Sequence, residues 1–575
     1  MVRVLKKYWS MFASRQRRNS VILLVLMIIG SALETLGVSL VIPLINVIMN
    51  TDEMMNNEIV VKVCNFLKLD SANEFIILML VTLICVFVFK DLYLIFECYL
   101  QNRFIFNLQL DVQKRLLNMY LHRPYEYYLN VTSEEVMQSI GSDVTTAFGL
   151  MSNMLTFLTE TIVSMALIIT IIIIDPVMAL TVAVVLAFSY GIIYFVVKPI
   201  LRKEGVEQRE NSIEAQKWIL QSVSGIKDVR VAQKEDFFLN SYVKGADKSK
   251  NAQRKFTVLS SVPRLLVEMT TIAGVLGVIA IMVACGRSLV ELAPSLSAFV
   301  VAAVRLLPSA NRIGVTITSI SYQEVQLDKV IENLKEVDSI LLKEEVGCDE
   351  KIEFKKELVL RNITYKYPSG EDYVLEDASM EIKCGSLVGV VGPSGSGKTT
   401  TIDIIIGLLK PEKGELLVDG VNINNNNAWL NDLSYIPQSI FLLDDTIRAN
   451  VAFGIEEKDI DETQVWRALE DAQLAEFVKS LPNGLDTETG ERGVRLSGGQ
   501  RQRIGIARAL YSNPSLLIFD EATAALDNET EAAIMESIEA LQGKKTMIII
   551  AHRLNTIKNC DVVYRVEDGK ISVAN

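Results

Sequence analysis

Histidine is nearly missing from this chain. His122 and His552 are the only two in 575 residues, so a zinc site built on imidazoles is close to excluded. Cysteine is sparse as well. Cys64, Cys85, Cys98, Cys285, Cys348, Cys384 and Cys560 include no C-x-x-C spacing and have no histidine companions, which removes a metal cluster and a disulfide framework. An excess of positive charge is also absent. A net charge of −12 argues against nucleic acid as a partner. The polarity of a soluble protein is lacking too, since half the residues are hydrophobic and the mean hydropathy is +0.29. No cleavable leader is read at the start, because the first apolar run is too long and has no small-residue cleavage site. The length predicts roughly three or four domains.

What is present begins with six apolar stretches, near 20–48, 75–99, 152–174, 177–197, 262–285 and 295–319. Each is long enough to cross a bilayer, which takes about 20 residues. Asp175-Pro176 joins the third to the fourth, and the short loop Gly286 to Pro294 joins the fifth to the sixth. Arg3, Lys6, Lys7, Arg15, Arg17 and Arg18 crowd the N-terminus, and 198–260 is dense in Lys and Arg. Basic loops stay in the cytoplasm, so the N-terminus and the long polar connections at about 100–150 and 198–260 are expected there. Helical spacing in those connections predicts that the membrane helices extend into the cytoplasm, bending near Tyr127–Asp143 and Ser222–Lys234.

Ionisable residues inside the spans are costly, at about 2.5–3.5 kcal/mol for a charge at mid-bilayer. Glu34, Lys90, Glu97, Glu160, Arg264, Glu268, Arg305 and Arg312 fall there. The plainer reading is internal pairing: Arg264 with Glu268 one turn on, and Lys90 with Glu34 or Glu97. Arg305 and Arg312 share a face of the sixth stretch with no acid near them on that helix. The sharper reading is a cationic aqueous cavity for an anionic group. Phosphate or pyrophosphate suits the planar fork of Arg.

Residues 321–351 are charged and read as a helical linker. From 352 to 575 short strands alternate with helices, the pattern of an α/β domain. Its centre is Gly392-Pro393-Ser394-Gly395-Ser396-Gly397-Lys398-Thr399, a complete G-x-x-x-x-G-K-[ST] loop. An apolar run precedes it, and Thr400 begins a helix after it. The glycines let backbone N–H groups curl around phosphates, and the helix N-terminus adds positive potential. Lys398 is expected on the β- and γ-phosphates of ATP and the Thr399 hydroxyl on Mg²⁺.

Other motifs surround the loop. Tyr367 lies upstream and is suited to stack on adenine. Gln438 in Tyr435-Ile-Pro-Gln438 is a neutral ligand for Mg²⁺ or water. Leu496-Ser497-Gly498-Gly499-Gln500 opens a helix and makes a second anion site, which one ATP does not need from one chain and which therefore points to a shared site across a dimer. An apolar strand ends in Asp520, suited to Mg²⁺, and Glu521, suited as general base. His552 follows another apolar strand and is placed to donate to a γ-phosphate.

Taken together these motifs resemble the ATP-binding cassette family, in that family's order, and the six spans ahead of one cassette resemble its half-size exporters. The resemblance implies a six-helix transmembrane domain at 1–320, the linker, and an α/β P-loop cassette at 352–575. It implies ATP and Mg²⁺ as ligands and a second copy of the chain as partner, with each ATP held between one P-loop and the other copy's LSGGQ. Asp527 matches the family's motif, although Ala524-Ala-Leu-Asp527 stands where Ser-Ala-Leu-Asp is usual. The stretches from Glu34, Ser261 and Val304 further resemble bacterial lipid-linked oligosaccharide flippases. That likeness implies a polyprenyl-diphosphate oligosaccharide as cargo in a bacterial inner membrane. It would be met by Lys90 (where an Arg is expected), Arg264, Arg305 and Arg312. Exporters of other lipids or hydrophobic drugs are the alternative, with an aromatic cavity expected instead.

Overall fold

A computed structural model describes residues 2–40, 72–174, 184, 187–284, 289–344, 352–368, 370–424, 427–521, 535–536, 538–550 and 557–574. The ends of the first and fifth predicted spans and most of the first half of the fourth lie outside these residues. The chain forms two compact units. One holds residues 1–122 and 131–341, and the other holds 123–130 and 342–575.

The first unit is helical. It comprises α1 (Val2–Met11), α2 (Ser14–Ser39), α3 (Ala72–Leu121), α5 (Ser133–Gln138), α6 (Val144–Ile174), α7 (Lys198–Ser224), α8 (Ile226–Val231), α9 (Glu235–Ala284) and α10 (Leu289–Glu344). Helix α4 (Tyr125–Tyr128) belongs to the second unit. Among the described residues, three stretches are long and apolar enough to cross a membrane: Ser14–Gly37, Asn73–Leu121 and Glu235–Gly274. With 50 residues α3 is about 75 Å long, more than twice the roughly 30 Å of a bilayer's hydrocarbon. Its apolar first half and polar second half thus form one continuous rod. Helix α10 likewise runs unbroken from the sixth apolar stretch through the charged segment after it.

The long helices approach closely where side chains are smallest. A Cβ on Gly205 of α7 would lie 2.2 Å from the Tyr322 carbonyl oxygen of α10, and one on Gly314 would lie 2.5 Å from Pro263 Cβ of α9. Polar residues tie the rods beyond the apolar stretches. Buried Asp143 accepts from Arg209 at 2.8 and 2.9 Å and from Gln138 at 3.2 Å. Lys7 of α1 bridges Glu324 and Asp328 of α10 at 2.7 and 2.5 Å. Burial disfavours the charged form of Glu324, yet the Lys7 bond and charge hold its carboxyl below the usual range.

The second unit is built on two sheets. Strands β1 (Glu357–Tyr365), β2 (Leu375–Lys383), β4 (Lys413–Val418) and β5 (Val421–Asn422) make an antiparallel sheet in the order β2-β1-β4-β5. The other sheet runs β10-β9-β3-β8-β7-β6, from β3 (Leu387–Val391), β6 (Leu433–Ile436), β7 (Leu516–Asp520), β8 (Thr546–Ile550), β9 (Val562–Glu567) and β10 (Lys570–Val573). All its neighbours are parallel except β10 on β9. Strands β7 and β8 are buried throughout, which explains their unbroken apolar runs. One face packs on the antiparallel sheet and α11 (Lys398–Ile405) through Leu360, Ile402 and Ile548. The other packs on α12 (Ile447–Val451), α13 (Glu462–Asp471), α14 (Ala475–Ser480) and α15 (Gly498–Tyr511) through Leu469, Ile504 and Phe519. Because β3, β6 and β7 are parallel, their carboxyl ends open on one edge, where ligands bind in such sheets.

Candidate ATP site

The P-loop leaves the carboxyl end of β3 and enters α11. Its glycines are there for space and for backbone shape. Gly392 has φ 152°, and a Cβ on it would fall 2.2 Å from the Val566 carbonyl oxygen. Gly397 has φ 101° and caps α11. Lys398 is buried and donates to the carbonyls of Gly392 and Pro393 at 3.1 and 2.8 Å, so its ammonium lies inside the curl of the loop. The Ser396 hydroxyl is buried without a hydrogen-bond partner among the described residues. Pro393, Ser394, Gly395 and Thr399 are exposed, and Thr400 is buried. An enclosed ammonium, an orphaned hydroxyl and a loop too tight for side chains fit a phosphate chain.

The Tyr367 hydroxyl lies 3.0 Å from Thr400 Oγ1, and its ring meets Tyr365 edge-on at 5.3 Å, which puts an aromatic face beside the P-loop helix. Gln438 lies just past β6 and Glu521 just past β7. Adjacent parallel strands bring them together, and Gln438 Nε2 donates to Glu521 Oε2 at 2.7 Å. The backbone of Glu521 is in the left-handed region at φ 49°, and its N–H donates to the Ile550 carbonyl at 3.2 Å. Asp520 is buried and accepts from the Tyr435 hydroxyl at 3.0 Å. An amide oxygen, a hydroxyl and a carboxylate are hard oxygen donors, and the set Thr399, Gln438 and Asp520 suits Mg²⁺.

Ser497 caps α15. It accepts from the Gln500 N–H at 3.3 Å, while its own N–H donates to the Gln500 side chain at 2.8 Å. Ser497 and Gly498 are exposed and Gly499 is buried. This leaves the open first turn of a 14-residue helix. His552 and Asp527 lie outside the described residues.

Two neighbours of the site were not anticipated. Asp403 sits on α11 in an apolar run, and burial followed by the Asp520 carboxylate pushes it up to about 6. An acid at a buried helix position was the available signal. Glu126 of α4 accepts from the Tyr365 hydroxyl at 3.0 Å. No pattern in the sequence announces that pairing of residues 239 apart.

The intramembrane charges need two corrections. Arg312 is not without an acid: it forms an ion pair with Glu160 of α6, a partner 152 residues away that inspection of its own helix misses. Arg264 and Glu268 are both exposed, and among the described residues no ion pair joins them. Lys90 pairs with Asp91 at 3.0 Å and lies over the Phe87 ring, whereas Glu97 turns its carboxylate onto Gly30 of α2. The side chain of Arg305 lies outside the described residues.

Comparison with known proteins decides the family. The profile described as ABC transporter matches residues 375–524, and that of the ABC transporter transmembrane region matches 19–304. The chain belongs to the ABC transporter family. One ABC transmembrane region precedes one ABC cassette in this chain, it is a multi-pass membrane protein, and its cassette is of the ATP-binding kind. It is 33% identical to an "ATP-dependent lipid A-core flippase" of Methylobacillus flagellatus over 65% of this chain and 63% of that protein. It is 43% identical to "ATP-binding cassette sub-family B member 10, mitochondrial" of Mus musculus over 39% of this chain and 32% of that one. The match thus spans less than two-thirds of these curated relatives. In fold it is similar to a bacterial Atm1-family ABC exporter solved with ATP bound, at a TM-score of 0.75 and 22% identity, covering 97% of this chain and 94% of that one.

Proposed function

We propose that two copies of this chain form an ATP-driven flippase that moves a polyprenyl-diphosphate-linked oligosaccharide across a bacterial inner membrane, with the cassette in the cytoplasm. The observation that carries the ATPase half is the Gln438–Glu521 hydrogen bond of 2.7 Å beside the P-loop. It holds a carboxylate where it can orient and deprotonate water attacking a terminal phosphate. Lys398 exchanges its two loop carbonyls for phosphate oxygens as nucleotide enters. Tyr367 takes the adenine face. Ser497, Gly498, Gly499 and Gln500 close on the other copy's nucleotide. His552 would donate to the γ-phosphate, and Asp527 would serve the contact between the two copies' cassettes. Mg²⁺ held by Thr399, Asp520 and Gln438 would neutralise charge on the phosphate oxygens. Lys90, Arg264, Arg305 and Arg312 receive the diphosphate head.

A second reading has support of its own. The curated relatives named as lipid A-core flippases favour a different phosphorylated glycolipid. ATPase measurements in lipid nanodiscs test both. Glu521→Gln is expected to bind ATP and lose about 10²–10⁴-fold in turnover, the usual contribution of a general base. Near-normal turnover would remove that role. Stimulation of the native ATPase by polyprenyl-diphosphate oligosaccharide and not by lipid A supports the first reading. The reverse supports the second.

A further inference from the structure

A cavity of about 400 Å³ lies between α2 and α3, and its lining includes none of the residues assigned to ATP, Mg²⁺ or cargo. Its polar residues, Arg15, Asn19, Arg103 and Asn107, lie toward one end beside Phe104 and Leu108, and Ile22, Leu26 and Leu100 make a wholly apolar wall at the other. Gln16, also in the lining, is engaged with Asp111 at 3.1 Å, so that carboxylate is already hydrogen-bonded. Arg15 and Arg103 are exposed, and neither has an ion-pair or hydrogen-bond partner among the described residues. Two unbalanced guanidiniums therefore share one cavity with an apolar wall.

The position along the helices fixes what is present there. Arg15 stands just before the apolar stretch of α2, and Arg103 just after that of α3. Positive residues flanking spans mark the cytoplasmic boundary, so the polar end lies at the headgroups of the inner leaflet and the apolar wall at its acyl chains. Basic pockets between membrane helices on that side bind anionic headgroups. A guanidinium is matched to phosphate by its fork of donors.

We propose that this cavity binds an anionic phospholipid of the inner leaflet, with its phosphate between Arg15 and Arg103 and an acyl chain along Ile22, Leu26 and Leu100. It is a resident-lipid site separate from the cargo path, and it does not depend on which glycolipid is carried.

Photo-crosslinking of the full-length protein in vesicles tests it. Phosphatidylglycerol and phosphatidylcholine probes would carry the same photoactivatable acyl chain, and adducts would be mapped to peptides. Phosphatidylglycerol is expected to label residues 100–108 about thirtyfold more than phosphatidylcholine, as two basic groups near a surface imply. Arg15→Gln with Arg103→Gln should equalise the probes there while labelling of other spans stays unchanged. Leu100→Trp, which fills the wall and keeps both charges, should lower labelling by both. Unchanged elution on size exclusion checks that each variant is folded. Equal labelling in the native protein would overturn the proposal, as would a preference that survives the double substitution. So would loss of the preference in excess inorganic phosphate, which marks a free-anion site. Labels found everywhere except this stretch would mean that protein covers the cavity, and the proposal would fail.

Discussion

The cassette and the membrane half both present charged residues in unusual settings, but they differ in what positions them. Around the P-loop, backbone shape comes first. Gly392 and Gly397 take conformations and spacings that side chains oppose, and Lys398 follows from the curl they make. Gln438 and Glu521 meet because adjacent parallel strands end together. In the helical unit the geometry of a charge depends on which rod lies alongside it. Arg312 is balanced by a residue on α6, and Glu97 rests on a glycine of α2. The first kind of site is local and tight. The second is assembled from distant stretches, and its partners are settled only by packing.

Substitutions sharpen this contrast, and the largest effect is expected in the cassette. Gly392→Ala places a methyl on the Val566 carbonyl at an unfavourable φ. It should lower ATP affinity at least about 100-fold and cost about 2–4 kcal/mol of stability. Nucleotide titration and thermal unfolding would show this, and native-like values in both would mean the loop is not confined as described. A smaller effect is expected at the helical pair. Glu160→Gln and Arg312→Gln, singly and together, should show a coupling of about 1 kcal/mol in thermal unfolding. Additive effects would leave Arg312 free of Glu160 and restore it as an unbalanced cation.

An effect of similar size, confined to one pH range, concerns Asp403. Its carboxyl titrates at about 6 in the folded chain against an ordinary 3.8, because burial and Asp520 oppose its charge. The folded state thus prefers the protonated form. The stability this provides is complete below the unfolded pKa and is lost as pH rises through the folded one. Without nucleotide, Asp403→Asn should match the native chain near pH 4 and become more stable by about 1 kcal/mol near pH 7, partial solvation keeping the gain small. A gap that is constant with pH would contradict the burial of this acid.

The same contrast explains what could be read in advance. The P-loop, its strand and its helix were legible because each motif residue answers a local demand for a turn, a cap or a close approach. The capping box of Ser497 and Gln500 is written in four consecutive residues. The apolar runs of β7 and β8 announced strands, and burial on both faces of a parallel sheet is why those runs are unbroken. The helix bends were legible to within a few residues: α3 ends at Leu121, shortly before the first expected bend, and the breaks after Ser224 and Val231 fall inside the second. Pairings between helices were not legible. Arg264–Glu268 has ideal spacing and does not form, whereas Arg312–Glu160 crosses 152 residues of chain. Helical spacing says which residues can meet on one helix. It is silent on which neighbouring helix offers a better partner or an open face.

The most direct measurement is translocation in proteoliposomes, using a polyprenyl-diphosphate oligosaccharide with ATP and Glu521→Gln as the paired control. The account predicts ATP-dependent movement of the sugar head across the bilayer that is lost in the control. Absence of movement beside a healthy native ATPase would contradict the assigned cargo, and movement undiminished in Glu521→Gln would contradict the engine.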